Sequence, residues 1–176
     1  GHENTKLHNR RELGIIISDH ASSKSSELDH GEIKIMKAAL ALSEKRVKEI
    51  MTPIKYVYWL SNSAVIDEKT LDEIKAKSWS RIPIFNNQLT KCYGILLMKD
   101  LVDVDFDNHP QKVTDLELHP TKLVGSMTML DTMFNKFISA RTHLIPIERD
   151  DKIVGIVTIE DLVEEILDHE IEDESD

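Results

Sequence analysis

A single cysteine, Cys92, stands among the 176 residues. It permits no internal disulfide and suits a reducing compartment. One thiol cannot build a zinc knuckle, and the eight histidines show no H-E-x-x-H spacing. The six glycines form neither G-x-x-x-x-G-K nor G-x-G-x-x-G, which excludes a P-loop and a dinucleotide fingerprint. A G-x-S-x-G nucleophile elbow is also missing. These gaps leave no framework for a conventional catalyst, so the chain is expected not to be an enzyme. Long apolar runs are absent too. The stretch Tyr93 to Met98 is strand-sized, far from the roughly 20 apolar residues of a membrane helix. Positive charge is scarce: 22 Lys and Arg face 32 Asp and Glu, for a net charge of −10. Nucleic acid is thereby excluded as a partner, since a phosphate backbone needs a basic face. A phosphate ligand would need a local cation, a helix N-terminus or a divalent metal to offset this field.

What is present is an ordinary soluble globular balance, 40% hydrophobic and 31% charged. No signal peptide opens the chain. The leading Gly1-His2 is consistent with a tag remnant on a fragment of a longer protein. Residues 1–30 are polar, with serines at 22, 23, 25 and 26, and read as linker, with Leu13 to Ile17 able to pack locally. From Gly31 the pattern turns helical: Ile33, Met36, Ala39 and Leu40 share one face. Residues 31–46 are therefore expected to form an N-terminal connecting helix.

From Val47 the chain repeats itself. Pro83 pairs with Pro146, Gly94 with Gly155 and Asp100 with Asp161, at separations of 63, 61 and 61 residues. Units this short cannot bury their own apolar faces, which predicts two copies packed together. Each unit reads as strand, helix, two strands, helix. In the first, Thr70 and Glu73 suggest a capping box before Leu71 and Ile74. The strands "IPIF" and "YGILLM" follow, joined at Asn86-Asn87-Gln88. In the second, Thr128 is expected to cap a helix whose Leu130, Met133, Phe134, Phe137 and Ile138 form a buried stripe. A tight loop, Arg149 to Lys152, joins its strand pair. The expected fold is α/β, tending to α+β: two tandem βαββα motifs, 47–108 and 109–168, packed as a pseudo-two-fold pair behind an N-terminal helix. An acidic tail, 169–176, comes last.

The strongest local pattern is Gly155-Ile156-Val157-Thr158-Ile159-Glu160-Asp161, a strand ending where a helix begins. Thr158 and Asp161 sit three apart across that start, as a cap and a first-turn acid do. The same geometry can serve a ligand. Amide N–H groups and the Thr hydroxyl would face a phosphate, and the carboxylate would accept ribose hydroxyls. A cap and a ligand site can coexist.

The repeated G-h-h-T-h-x-D pattern, preceded by "RIPI", resembles the CBS motif, whose pairs (Bateman modules) bind adenine nucleotides. The resemblance covers about residues 47–168. The strings "GEIKIMKAALALSEKRVKEIMTP", "SRIPIF" and "GIVTIEDLVEEI", with the acidic end "DHEIEDESD", are similar to the CNNM/CorC magnesium transporter family. There a CBS pair comes after a membrane domain, and MgATP binds between the two motifs. The resemblance implies a regulatory module on the cytoplasmic face of a membrane, attached in cis to a transporter domain and paired as a homodimer. It implies an ATP or other adenylate site in which Thr52 contacts the adenine and Trp79 and Pro83 wall the pocket. Arg81 would reach the phosphates, Thr158 would bond a phosphate or the ribose edge, and Asp161 would hold the ribose hydroxyls. Read singly, Arg81 is equally a solvated charge, Thr52 a turn residue and Trp79 a half-buried core ring.

The repeat also supplies a twin of this site. There Leu97 replaces Thr158 and Leu144 replaces Arg81, and only Asp100 survives. A phosphate facing two leucines would lose its donors, at about 1–3 kcal/mol each. One nucleotide site per chain is expected. Mg²⁺ carried with the nucleotide would cancel part of the phosphate charge. The carboxylates from Glu164 to Glu174 read first as a solvated helix face and tail. The short connection "ERDDKIVG" argues against a PRL-type phosphatase partner, which in animal members docks on a long loop there. Two other readings stay open: a dimerisation scaffold without ligand, and a regulatory insert of a metabolic enzyme such as inosine monophosphate dehydrogenase.

Overall fold

The spacing of Ile33, Met36, Ala39 and Leu40 yields the first helix of the computed structural model, which describes residues 30–175, with side chains through 168. This helix, α1, spans His30–Ala41 and buries Met36 and Leu40. It stops short of the expected limit at 46. Its last turn tightens, with Leu42 N–H donating to the Ala39 carbonyl at 3.3 Å and Ser43 N–H to Leu40 at 3.0 Å. The Ser43 hydroxyl then accepts from Lys45 N–H at 3.2 Å, a side-chain bond that competes with helix continuation.

A four-residue helix, α2, Val47–Ile50, opens the first repeat. It is clasped by the segment before the later helix α4, Leu130–Ala140. Val47 N–H donates to the Thr128 carbonyl at 2.9 Å and Lys48 N–H to Ser126 at 3.0 Å. Arg46 adds a bond from Nη1 to the Met127 carbonyl at 3.1 Å. Thr128 is thus not the cap of α4. Met129 holds that position, without a side-chain bond. On α4, Leu130, Met133, Phe134 and Phe137 are buried as the stripe requires, while Ile138 is half-buried. The helix ends on Arg141 in a left-handed conformation (φ 52°).

The final helix, α5, spans Ile159–Ser175, past the 168 boundary drawn from the repeat. Ile159, Leu162, Val163 and Ile166 are buried along it. Glu165 is buried too, its charge met by Lys45 Nζ at 2.8 Å. Helices α1, α4 and α5 pack together as one compact unit, whose described parts are residues 30–51, 126–143 and 157–175. Linker residues 1–29, including Leu13 to Ile17, lie outside the described residues, as do the side chains of the tail.

The second unit holds residues 52–125 and 144–156. It contains β1, Thr52–Pro53; β2, Leu60–Ser61; β3, Val65–Ile66; α3, Glu68–Ala76; β4, Arg81–Phe85; and β5, Cys92–Leu97. Further along come β6, Gln111–Lys112; β7, Val124–Gly125; β8, Leu144–Arg149; and β9, which starts at Lys152 and ends at Thr158, its last two residues belonging to the first unit. The sheets have strand orders β2-β4-β5, β1-β9-β8-β7 and β3-β6. The two compact units are therefore not the two repeats: each draws segments from both. Mixed α/β structure stands as expected.

Repeat symmetry is visible in the prolines. Strand β2 pairs in parallel with β4 beginning at Ile84, and β7 with β8 beginning at Ile147. Pro83 and Pro146 each sit one residue before that pairing starts, where the missing N–H leaves no gap in the parallel ladder. Helix α3 departs from the expected cap. Asp67 is the N-cap, its Oδ1 accepting from Thr70 N–H at 2.8 Å, so Thr70 receives the cap rather than providing it. The hairpin tips also meet: Ile153 N–H donates to the Leu89 carbonyl at 2.7 Å and Lys152 Nζ to Gln88 at 2.9 Å. Asp150 and Asp151 form the tight loop of the second hairpin, with φ of 52° and 61°.

Gly94 marks the main irregularity. The β4–β5 register shifts between Ile84 and Phe85, leaving Tyr93 as the extra residue of a bulge. Gly94 has φ +133°, and a Cβ there would lie 2.9 Å from the His119 carbonyl oxygen and 3.0 Å from Leu118 Cβ. That space lets Ile95 and His119 exchange two backbone hydrogen bonds of 2.8 Å. Gly94→Ala is expected to destabilise the chain by at least about 2 kcal/mol. Urea unfolding tests this, and an unchanged midpoint would contradict it.

Candidate functional site

Each implied site residue is best located from its own element. Thr52 is half-buried on β1, paired with Ile156 of β9, and Pro53 pairs with Gly155. Arg81 and Pro83 lie two apart on β4 and so share a face, opposite the buried Ile82 and Ile84. Pro83 is buried, Arg81 half-buried. Trp79, just before β4, stacks on Tyr58 with centroids 4.0 Å apart and planes at 19°. Both rings lean on the core of Ile66, Leu71, Ile74, Ile82, Ile84 and Leu96. One face of the indole is thus already occupied. Burial, helped by the charge of Glu73, pushes the Tyr58 hydroxyl up from its ordinary value.

Thr158 and Asp161 are brought into direct contact. Thr158 N–H donates to Asp161 Oδ2 at 2.8 Å, and Asp161 N–H approaches Thr158 Oγ1 at 3.4 Å. This reciprocal pair is a capping box at the start of α5. The cap takes one of roughly four lone-pair positions of the carboxylate, leaving acceptor capacity for other donors. Burial pushes the Asp161 carboxyl up, the two Thr158 hydrogen bonds pull it down, and Glu160 adds a smaller upward push. Thr52, Trp79, Arg81 and Pro83 belong to the strand-rich unit, Thr158 and Asp161 to the helical one.

The twin positions differ as the side chains dictate. Leu97, directly opposite Arg81 in the β4–β5 ladder, has no hydroxyl to cap the turn after β5. Leu144 is buried, and its carbonyl accepts from the Thr121 hydroxyl at 2.7 Å. Asp100 bonds His119 Nε2 at 2.6 Å. Sequence patterns give no sign of His119: it lies 19 positions from Asp100, and Gly94 is the only hint that the two segments approach. The lone Cys92 is no nucleophile at neutral pH, since burial pushes its thiol up to about 11.

The CBS-domain family model matches residues 115–168, most of the second repeat and the whole of the Thr158–Asp161 turn. Protein MAM3 of Saccharomyces cerevisiae is 30% identical over 181 residues, covering 100% of this chain and 26% of that protein. Metal transporter cnnm-1 of Caenorhabditis elegans is 36% identical over 173 residues, covering 87% of this chain and 21% of that protein. The chain is a CBS pair of the CNNM/CorC family. It spans only about a quarter of the length of these two relatives. In fold, the CBS pair resembles the CBS domain of a bacterial CNNM/CorC family Mg²⁺ transporter in complex with ATP. The TM-score is 0.63 at 23% identity, covering 78% of this chain and 96% of that one. Among the described residues of this CBS pair, no helix is long and apolar enough to cross a membrane.

The raised Asp161 value has a stability consequence. Its contribution is full below the ordinary Asp value of 3.8 and is lost as pH rises through the higher folded value. Asp161→Asn, which retains a carbonyl acceptor, is therefore expected to gain stability relative to the wild type across that interval. The difference should level off at neutral pH. Paired urea titrations from about pH 3.5 to 7 check this, and a pH-independent difference would contradict it.

Proposed function

We propose that this CBS pair is a regulatory module that binds one adenine nucleotide, as MgATP, and controls a membrane divalent-cation transporter attached in cis, working as a homodimer at the cytoplasmic face. The observation that carries the reading is the Thr158–Asp161 pair. It combines a hydroxyl, a helix start and a partly buried carboxylate with unused acceptor capacity. The solved ATP complex of a CNNM/CorC relative supports the ligand class. The names of the relatives support the transporter context.

In this reading Asp161 accepts the ribose hydroxyls and Thr158 supplies its hydroxyl to the ligand. Thr52 contacts the adenine, Trp79 and Pro83 wall the base, and Arg81 meets the phosphates. Arg81 suits that role because a guanidinium presents several donors in a fixed fork. Mg²⁺ lowers the phosphate charge before it meets a chain of net charge −10. The nucleotide can shift the module between arrangements only by its differential affinity for them. The competing reading, a scaffold without ligand, draws on the mutual satisfaction of Thr158 and Asp161, which need no third group.

Calorimetric titration with ATP, with and without Mg²⁺, separates the two. One equivalent per chain is expected, bound more tightly with Mg²⁺. Asp161→Ala should weaken it at least about tenfold, as loss of a charged hydrogen-bond acceptor does. No heat in either condition, or equal affinity in the variant, would favour the scaffold.

A further inference from the structure

Asp100 is the one polar group surviving at the twin position, and its surroundings differ from those of Asp161. Leu97 precedes it where Thr158 stands in the other repeat, so position 97 offers no capping hydroxyl. Asp100 Oδ2 instead lies 2.6 Å from His119 Nε2. Glu117 Oε1 lies 3.9 Å from the same nitrogen. One ligand atom from each of the three residues falls within 4.8 Å of the others. His119 and Asp100 are partly buried, with side-chain exposures of 29% and 17%, while Glu117 is exposed.

The backbone makes this a held arrangement rather than a chance meeting of surface side chains. His119 is fixed by two 2.8 Å bonds to Ile95, which require the missing side chain of Gly94. Asp100 sits in the 3₁₀ turn Met98–Leu101 directly after β5, whose Met98 N–H donates to the Ser80 carbonyl at 3.0 Å. Both ends of the Asp100–His119 contact therefore rest on β5. Glu117 is two residues from His119 along the same extended segment and reaches the imidazole with a flexible side chain.

We propose that Asp100, Glu117 and His119 form a binding site for a first-row transition-metal dication, separate from the nucleotide and from any Mg²⁺ it carries. One imidazole and two carboxylates suit zinc, cobalt or manganese, whereas magnesium prefers an all-oxygen shell. The ion takes the place of the proton shared by His119 and Asp100. Tetrahedral ligands at about 2.0–2.2 Å from the metal stand about 3.3–3.6 Å apart. The 2.6 Å contact therefore opens by nearly an ångström through side-chain rotation, and the Glu117 side chain swings inward. A solvent molecule completes the shell on the exposed side.

The test is calorimetric titration of the full chain with ZnCl₂ in the absence of nucleotide, repeated for His119→Ala, Asp100→Asn and Glu117→Gln. Other histidines can also take zinc, so the readout is the number of equivalents lost. His119→Ala and Asp100→Asn should each remove one equivalent, and Glu117→Gln should weaken that equivalent at least about tenfold, as loss of a supporting ligand does. Co²⁺ provides a second readout: a visible ligand-field band in the wild type that His119→Ala abolishes. Circular dichroism without metal confirms that the variants are folded, and Asp100→Asn and Glu117→Gln, which retain shape and hydrogen-bonding capacity, serve if His119→Ala is not. Unchanged zinc stoichiometry in folded Asp100→Asn, no zinc uptake by the wild type, or displacement by equimolar Mg²⁺ would overturn the proposal. Because nucleotide is absent, failure here leaves the ATP titration unaffected.

Discussion

The close approach of the chain over Gly94 governs much of the strand-rich unit. Two short bonds tie Ile95 to His119, and they form only because position 94 has no side chain. The opening segment of the second repeat is thereby laid on the last strand pair of the first. Leu116 and Leu118 then reach the core already built by Ile82, Ile84 and Leu96. A repeat of this size has too little interior to close alone. The Gly94 crossing is one place where it borrows apolar surface from the chain beyond it.

The same crossing separates the fates of two equivalent carboxylates. After β9, Thr158 and Asp161 satisfy one another and a helix runs on to Ser175. After β5, Leu97 cannot cap and Asp100 turns to His119. The helix shrinks to the four-residue turn Met98–Leu101. The next six residues, Val102-Asp103-Val104-Asp105-Phe106-Asp107, alternate β-branched or aromatic side chains with aspartates and lead to Pro110, a poor helix sequence throughout. The symmetry of the repeat thus survives in the strands and is broken at the helix starts, where one hydroxyl decides the outcome.

How much could be read in advance divides along the same line. The strand pairs, the buried stripe on α4 and the equivalence of Pro83 with Pro146 were legible, because burial periodicity and proline placement are local signals. The cap at Thr158 was legible for the same reason. The caps at Thr70 and Thr128 were misread, each because of a tertiary or competing local bond. Asp67 outcompetes Thr70 as a first acceptor, and the Thr128 carbonyl is committed to Val47. The Trp79–Tyr58 stack and the Asp100–His119 contact join residues about 20 positions apart, which no short window captures. For the implied ligand set, residue type and register were readable, while what already touches each group was not.

Charge fixes the orientation that the proposed adenylate would take. Asp161 is partly buried, so its field is weakly screened, and a phosphate beside it would meet like charge. At about 5 Å and an effective dielectric near 20, that repulsion is about 3 kcal/mol. Asp161 Oδ2 lies 2.8 Å from the Thr158 backbone nitrogen, so a phosphate on the Thr158 hydroxyl would share this penalty. Ribose hydroxyls face no such cost, since neutral donors stabilise the ionised carboxylate. Of the two contacts open to Thr158, the ribose edge is therefore favoured over a phosphate. In the proposed complex the phosphates would be left to Arg81 and to the magnesium they carry, in a chain of net charge −10.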